Sequence, residues 1–218
     1  MNKEQVPSNY SQMDVLKAKE FDTKVKQNFI AAFPATVRQI FKECRIRSGR
    51  CVDVGSGTGL LSIEMAKNSD FMIYGLEQSP AMIQVAMDNI AQEGLSDRII
   101  PVLGDAHKQP FEDEYADLII SRGSYHFWDD KPVVFKEIRR VLKKVGMAFI
   151  GGGFGIGHTN KALNRMKQLR DASLGENAKF YYDPGIMEEI IQSAAISQYD
   201  ILFDESGLWA KIYKEEEK

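Results

Sequence analysis

The stretch Cys51-Val52-Asp53-Val54-Gly55-Ser56-Gly57-Thr58-Gly59-Leu60-Leu61-Ser62-Ile63 constrains this chain more than any other. A short run of β-formers stops at three alternating glycines, and a helix-compatible segment follows Gly59. That order specifies a strand, a tight turn and a helix N-terminus. Glycine permits positive φ and removes Cβ, so backbone N–H groups at the helix start can approach a polar ligand closely. Glycines so spaced also cost chain entropy that an ordinary turn need not spend, which favours a ligand over a bare turn.

The spacing narrows the ligand. A dinucleotide loop reads G-x-G-x-x-G, but here Leu60 stands in the third glycine's place and Gly59 comes one residue early. A P-loop needs Lys followed by Ser or Thr after its glycines, and this loop has neither. The form Asp53-x-Gly55-x-Gly57-x-Gly59 resembles the first motif of the class I S-adenosylmethionine-dependent methyltransferases, small-molecule members similar to those of ubiquinone and menaquinone biosynthesis. The resemblance implies that Gly55, Ser56, Gly57 and Gly59 wrap the methionine end and ribose of the cofactor, with Asp53 near its amino group.

Later strand ends carry matching chemistry. Residues 71–77 form a second strand that closes on Glu77, and a carboxylate at that tip can accept two hydrogen bonds from a ribose diol. The resemblance assigns Glu77, with Gln78 beside it, to the ribose hydroxyls. A third strand over 98–103 leads to Gly104-Asp105-Ala106, where the resemblance places Asp105 on the adenine amino group and the Ala106 N–H on a ring nitrogen. His107 next to them reads as solvent-facing. A fourth strand over 115–121 runs into Arg122-Gly123-Ser124-Tyr125-His126-Phe127-Trp128-Asp129-Asp130. Ligands of open α/β sheets bind outside the carboxyl ends of the strands, so Ser121 and Arg122 are assigned to the cofactor side, and Tyr125 and His126 to the transferable methyl. His126 is either a general base, having an unperturbed pKa near working pH, or a residue that only shapes the pocket. The neighbouring aromatics either wall the sulfonium or belong to the core.

The rest of the chain supplies a frame for these positions. Helical patterns cover 11–33, 33–46, 58–67, 79–94 and 131–143, and a fifth strand over 147–150 runs into five glycines among residues 151–157. Those glycines admit close approach of a substrate, a lid hinge or a flexible connector. Helices follow over 158–172 and 183–194. Two strands over 198–203 and 208–213, joined through Asp204-Glu205-Ser206-Gly207, form a terminal hairpin. The expected architecture is an α/β, Rossmann-like sheet of seven strands in order 3-2-1-4-5-7-6, the last antiparallel, with helices on both faces. Residues 1–32 form an arm and helical lid, and 33–218 the methyltransferase domain.

A formal charge of -3 over 218 residues argues against a nucleic-acid or anionic-membrane surface, and the pairs Arg139-Arg140 and Lys143-Lys144 read as solvated helix faces. Cys44 and Cys51 lack metal-ligand spacing and are expected as reduced thiols in a soluble, cytoplasmic protein, a monomer or homodimer. No apolar leader or membrane-length run is present in the sequence. No metal is expected, because Ser121 stands where a catechol-type site would place a carboxylate beside Asp129 and Asp130. The function expected is methyl transfer from S-adenosyl-L-methionine to a small-molecule acceptor by in-line displacement. The alternatives are a non-catalytic sensor or assembly subunit that binds the same cofactor, or an aminopropyl-type transferase using the same pocket.

Overall fold

The computed structural model describes residues 14–174 and 182–214. Helices α1 (Val15–Phe29) and α2 (Ala32–Cys44) precede β1 (Ser48–Val54), α3 (Leu60–Lys67), β2 (Asp70–Glu77), α4 (Pro80–Gln92) and β3 (Ile99–Leu103). Then come β4 (Ala116–Arg122), a 3₁₀ turn (Tyr125–Phe127), α5 (Lys131–Val141) and β5 (Leu142–Gly153). The chain continues through α6 (Asn160–Leu174), α7 (Pro184–Ser193), β6 (Tyr199–Asp204) and β7 (Gly207–Tyr213). One seven-stranded sheet has the order β3-β2-β1-β4-β5-β7-β6. β1 pairs in parallel with β2 and β4, while β7 runs antiparallel to both β5 and β6. The topology is the one expected from the sequence.

Alternation along the central strands explains why both faces are covered. Val52, Val54, Ile119, Ala148 and Ile150 point to one face, where Phe135 and Ile138 of α5 and Ile191 of α7 pack on them. Cys51, Leu118, Ile120 and Phe149 point to the other face, against Ile40 and Phe41 of α2, Met65 of α3 and Ile90 of α4. Trp209 of β7 stacks on Phe149 at 4.8 Å between ring centres and closes that layer.

The helices begin where side-chain caps allow. Asp14, Ser79, Asp130 and Asp183 accept from backbone N–H groups at the starts of α1, α4, α5 and α7, three of which carry proline in the first turn. α2, after Ala31, and α3 have no side-chain cap bond, and the N-cap of α3 is Gly59 at φ 80°. The terminus facing the strand tips is thus left to backbone groups.

α1 lies across this end of the sheet and is tied down by a buried polar cluster. Lys26 Nζ meets Asp22 Oδ2 at 2.7 Å and donates to Asn89 Oδ1 at 2.7 Å. Asn89 Nδ2 in turn donates to Asp22 Oδ1 at 3.0 Å and to the Thr58 carbonyl at 2.9 Å. One amide therefore joins α1, α4 and the glycine loop.

Two local expectations need correction. Gly151, Gly152 and Gly153 are neither hinge nor connector but the end of β5, paired with Trp209, Leu208 and Gly207. A Cβ on Gly151 would stand 2.1 Å from Leu208 O, and one on Gly155 2.2 Å from the Ala35 carbonyl carbon, so close backbone approach is what excludes side chains there. The basic pairs are not simply solvated either. Lys143 lies in β5 with Nζ 2.8 Å from both Asp117 carboxylate oxygens. Arg140 binds Glu137, Asp113 and the carbonyls of Gln109 and Phe111, which pins the loop after β3 onto α5.

Candidate functional site

At the tip of β1 the chain turns through Gly55, Gly57 and Gly59 at φ 72°, 57° and 80°, values that L residues adopt only with strain. The N–H groups of Gly55 and Ser56 both donate to Leu76 O, at 2.8 and 3.0 Å, which folds the loop over β2. Gly57 N–H donates to Glu77 Oε2 at 3.0 Å, and Ser79 N–H to Oε1 at 3.0 Å. An ionised carboxylate offers about four acceptor sites, so Glu77 keeps capacity for a ligand. Burial pushes the Glu77 carboxyl up, while the N–H groups of Ser79, Gly57 and Gln78 work against that. Asp53, 2% exposed, accepts from Ser62 Oγ at 2.7 Å. Burial raises its pKa to about 7, opposed by the Ser62 bond and reinforced by the Glu77 charge.

Asp105 lies at the tip of β3. Its Oδ1 accepts from the His107 N–H at 2.9 Å and sits 2.7 Å from His107 Nδ1. Desolvation would raise this carboxyl, but the His107 backbone and ring outweigh it and hold the pKa below the usual value. His107 is thus not simply solvent-facing: Asp130 N–H donates to its Nε2 at 3.4 Å, so the ring bridges the β3 tip to the loop before α5.

These tips surround one cavity of about 380 Å³, within the range of small-molecule sites. Asp53, Gly55, Ser56, Gly57, Glu77, Gln78, Asp105, Ala106, Arg122 and His126 all line it. Gly59, Ser121 and Tyr125 stand behind the lining. A Cβ on Gly59 would touch Ala86 of α4 at 3.4 Å, so that glycine serves the turn and its packing. Ser121 Oγ is 2.6 Å from Ser124 Oγ, and Ser124 Oγ donates to Val54 O at 2.9 Å, which braces the β4 tip against β1. Tyr125, 4% exposed, packs edge-on to Trp128 in the core.

Across the cavity, the 3₁₀ turn presents His126, 8% exposed, with Tyr182 at 5.5 Å between ring centres. Burial, followed by the positive charges of Lys131 and Arg170, pushes the His126 ring down to about 3. Phe21, Val25 and Phe29 of α1, Phe33 of α2 and Phe154 complete an apolar wall. Phe21, Val25 and Phe29 belong to the helical pattern over 11–33 to which sequence reasoning assigns a covering role. Tyr182 and Arg170 line the cavity as well, and Arg170 carried no local signal.

Comparison with known proteins identifies the fold. A solved structure of a candidate S-adenosyl-L-methionine-dependent methyltransferase from Methanococcus maripaludis is 37% identical, with a TM-score of 0.85 over 94% of this chain and 95% of that one. The chain belongs to the S-adenosyl-L-methionine-dependent methyltransferase family. A family model described as a methyltransferase domain matches residues 52–150 of this family member. Among curated relatives, 27-O-demethylrifamycin SV methyltransferase of Amycolatopsis mediterranei is 30% identical over 49% of this chain and 39% of that protein. The chloroplastic 2-methyl-6-phytyl-1,4-hydroquinone methyltransferase of Spinacia oleracea is 39% identical over 46% and 28%, respectively. Both matches therefore span well under half of the relative's length.

The family's cofactor fits what lines the cavity. A Cβ on Gly57 would meet nothing within 4 Å, so the loop borders open space there. Glu77 has the spare acceptors a diol needs, and Asp53 is a carboxyl that an ammonium group would ionise. Among the described residues no cluster of His, Cys, Asp and Glu could hold a metal ion, and no helix is long and apolar enough to cross a membrane.

Proposed function

We propose that this protein methylates a small-molecule acceptor with S-adenosyl-L-methionine, and that Asp53, Gly55–Gly57, Glu77, Gln78, Asp105 and Ala106 hold the nucleoside. The observation that carries this reading is the single cavity that joins these strand tips to an apolar chamber containing His126 and Tyr182. When bound, the cofactor supplies an electrophilic methyl on a sulfonium. The chain's own part is alignment: α1 and the 3₁₀ turn exclude water, and the aromatic wall holds the acceptor in line, where orientation contributes most of the acceleration. Curated relatives named for rifamycin and hydroquinone methylation favour an acceptor of small-molecule size.

His126 acts as a neutral ring. With its pKa near 3 it stays uncharged at any working pH and accepts a hydrogen bond from the acceptor rather than storing a proton. Its replacement by alanine removes one hydrogen bond and is expected to lower kcat by about tenfold with little change in cofactor affinity. The pH–rate profile should carry no histidine inflection near 6.5. Equal losses in kcat and cofactor affinity would remove His126 from the reacting end.

Isothermal titration tests the cofactor. S-adenosyl-L-methionine and its demethylated product are expected to bind and NAD is not. Incubating cell extract with isotope-labelled cofactor, and following mass shifts among small molecules, then tests turnover. Binding without consumption over the extract would speak for a sensor instead.

A further inference from the structure

The cavity is divided by charge. Its carboxylates, Asp53, Glu77 and Asp105, stand at the tips of β1, β2 and β3, with Asp129 exposed on the loop before α5. Two guanidinium groups also line it, Arg122 at the end of β4 and Arg170 of α6. Arg122 Nε donates to Gly153 O at the β5 tip, at 3.0 Å, and the group lies over the Phe33 ring, 4.9 Å from its centre. Arg170 lies over Tyr182 at 4.3 Å and over Phe154 at 5.6 Å. Arg122 is anchored on Gly153 and Arg170 lies over the next residue, Phe154, so the two charges approach the same end of β5.

These charges are unequally compensated. Arg170 meets Asp171 at 2.8 Å, a neighbour whose side chain is 51% exposed and so screened by water. Among the described residues no carboxylate forms an ion pair with Arg122; enclosure draws its pKa down to about 10, and Tyr182 opposes that. Burying a guanidinium among rings costs free energy that an arriving anion returns. The planar fork matches a carboxylate in two parallel hydrogen bonds, while Phe33, Phe154 and Tyr182 offer flat apolar surface beside it.

We propose that Arg122 and Arg170, together with the Tyr182 hydroxyl, form an anion site that recognises the carboxylate of an aromatic or apolar acid acceptor. This rests on the methyltransferase reading and moves Arg122 from the cofactor's side of the cavity to the acceptor's. The carboxylate end of the cofactor's methionine is the competing anion. Because β4 neighbours β1, a titration with the cofactor site already filled separates the two anions.

The test is a titration of the protein, saturated with S-adenosylhomocysteine, against benzoate, benzamide and phenyl phosphate. Benzoate is expected to bind at least about tenfold tighter than benzamide and tighter than phenyl phosphate, the scale of a charge-assisted hydrogen bond. Arg122→Gln and Arg170→Gln should each bring the benzoate-to-benzamide ratio towards unity, while S-adenosylhomocysteine affinity changes less than about threefold. Arg170→Gln, in a helix at the cavity edge, serves if Arg122→Gln fails to fold. Equal binding of acid and amide overturns the proposal, as does a preference for the phosphate. So does a large loss of S-adenosylhomocysteine affinity in Arg122→Gln with the acid preference intact, which marks a cofactor clamp. If the wild-type protein does not bind S-adenosylhomocysteine, the cofactor reading fails instead, and the acid-over-amide ratio without it still judges the anion site.

Discussion

Two buried carboxyls separate binding from stability at the scale of single residues. Glu77 accepts from backbone N–H groups on both oxygens and keeps acceptor capacity for a ligand. Glu77→Ala is therefore expected to weaken cofactor binding by about 1.5–3 kcal/mol in calorimetry, the range for hydrogen bonds to a charged group. Asp53 is a pH-dependent liability in the cofactor-free protein. Its folded pKa of about 7 exceeds the ordinary 3.8, so the folded state holds that proton more tightly than the unfolded chain does. The associated stability is present in full below pH 3.8 and is lost as pH rises through 7, a decline on the order of 2–4 kcal/mol. Denaturation series on the wild type and on Asp53→Asn should show that part of the decline only in the wild type. Both carboxyls were legible in the sequence because each sits in or at the end of an apolar strand run beside a glycine turn. Arg122 was legible as a strand-tip residue, but its orientation was not, because the Gly153 carbonyl that anchors it lies 31 residues away.

At the scale of elements, periodicity carried the order of strands and helices because alternation and 3.6-residue spacing record which faces are buried. Element ends were less visible. β1 begins at Ser48, whose pairing with Asp70 leaves no apolar signature at that exposed end. The glycines after Ile150 misled for a related reason: a missing side chain looks the same whether the backbone must move or must come close, and only the facing strand distinguishes them. Gly155→Ala should reveal the second case. Its Cβ would meet the backbone of Ala35 and Thr36 at 2.2 Å, at φ 76°, so a loss of about 3 kcal/mol or more in denaturant unfolding is expected. Gly57→Ala is the control, with open space at the Cβ and a cost of about 1–2 kcal/mol from positive φ alone. It should impair nucleoside binding more than folding.

For the whole molecule, the tips of β1, β2 and β3 line one half of the cavity, which we propose for the nucleoside, and α1, α6, Tyr182 and the β4 tip line the half proposed for the acceptor. The first half follows from local motifs at strand tips, whereas the second depends on how α1 and α6 pack across the opening. The Asn89 amide has a kinetic consequence for that division. Because it holds Thr58 O and Asp22 at once, the Asn89 amide fastens α1 to the loop that would clasp the nucleoside. Exit of spent nucleoside and unfastening of the flap should then be a single event. Asn89→Ala is expected to shorten the residence time of S-adenosylhomocysteine by about tenfold in stopped-flow displacement, the rate equivalent of about 1.4 kcal/mol, with association little changed. Where departure of the product limits the cycle, the variant would run faster than the parent at saturating substrate.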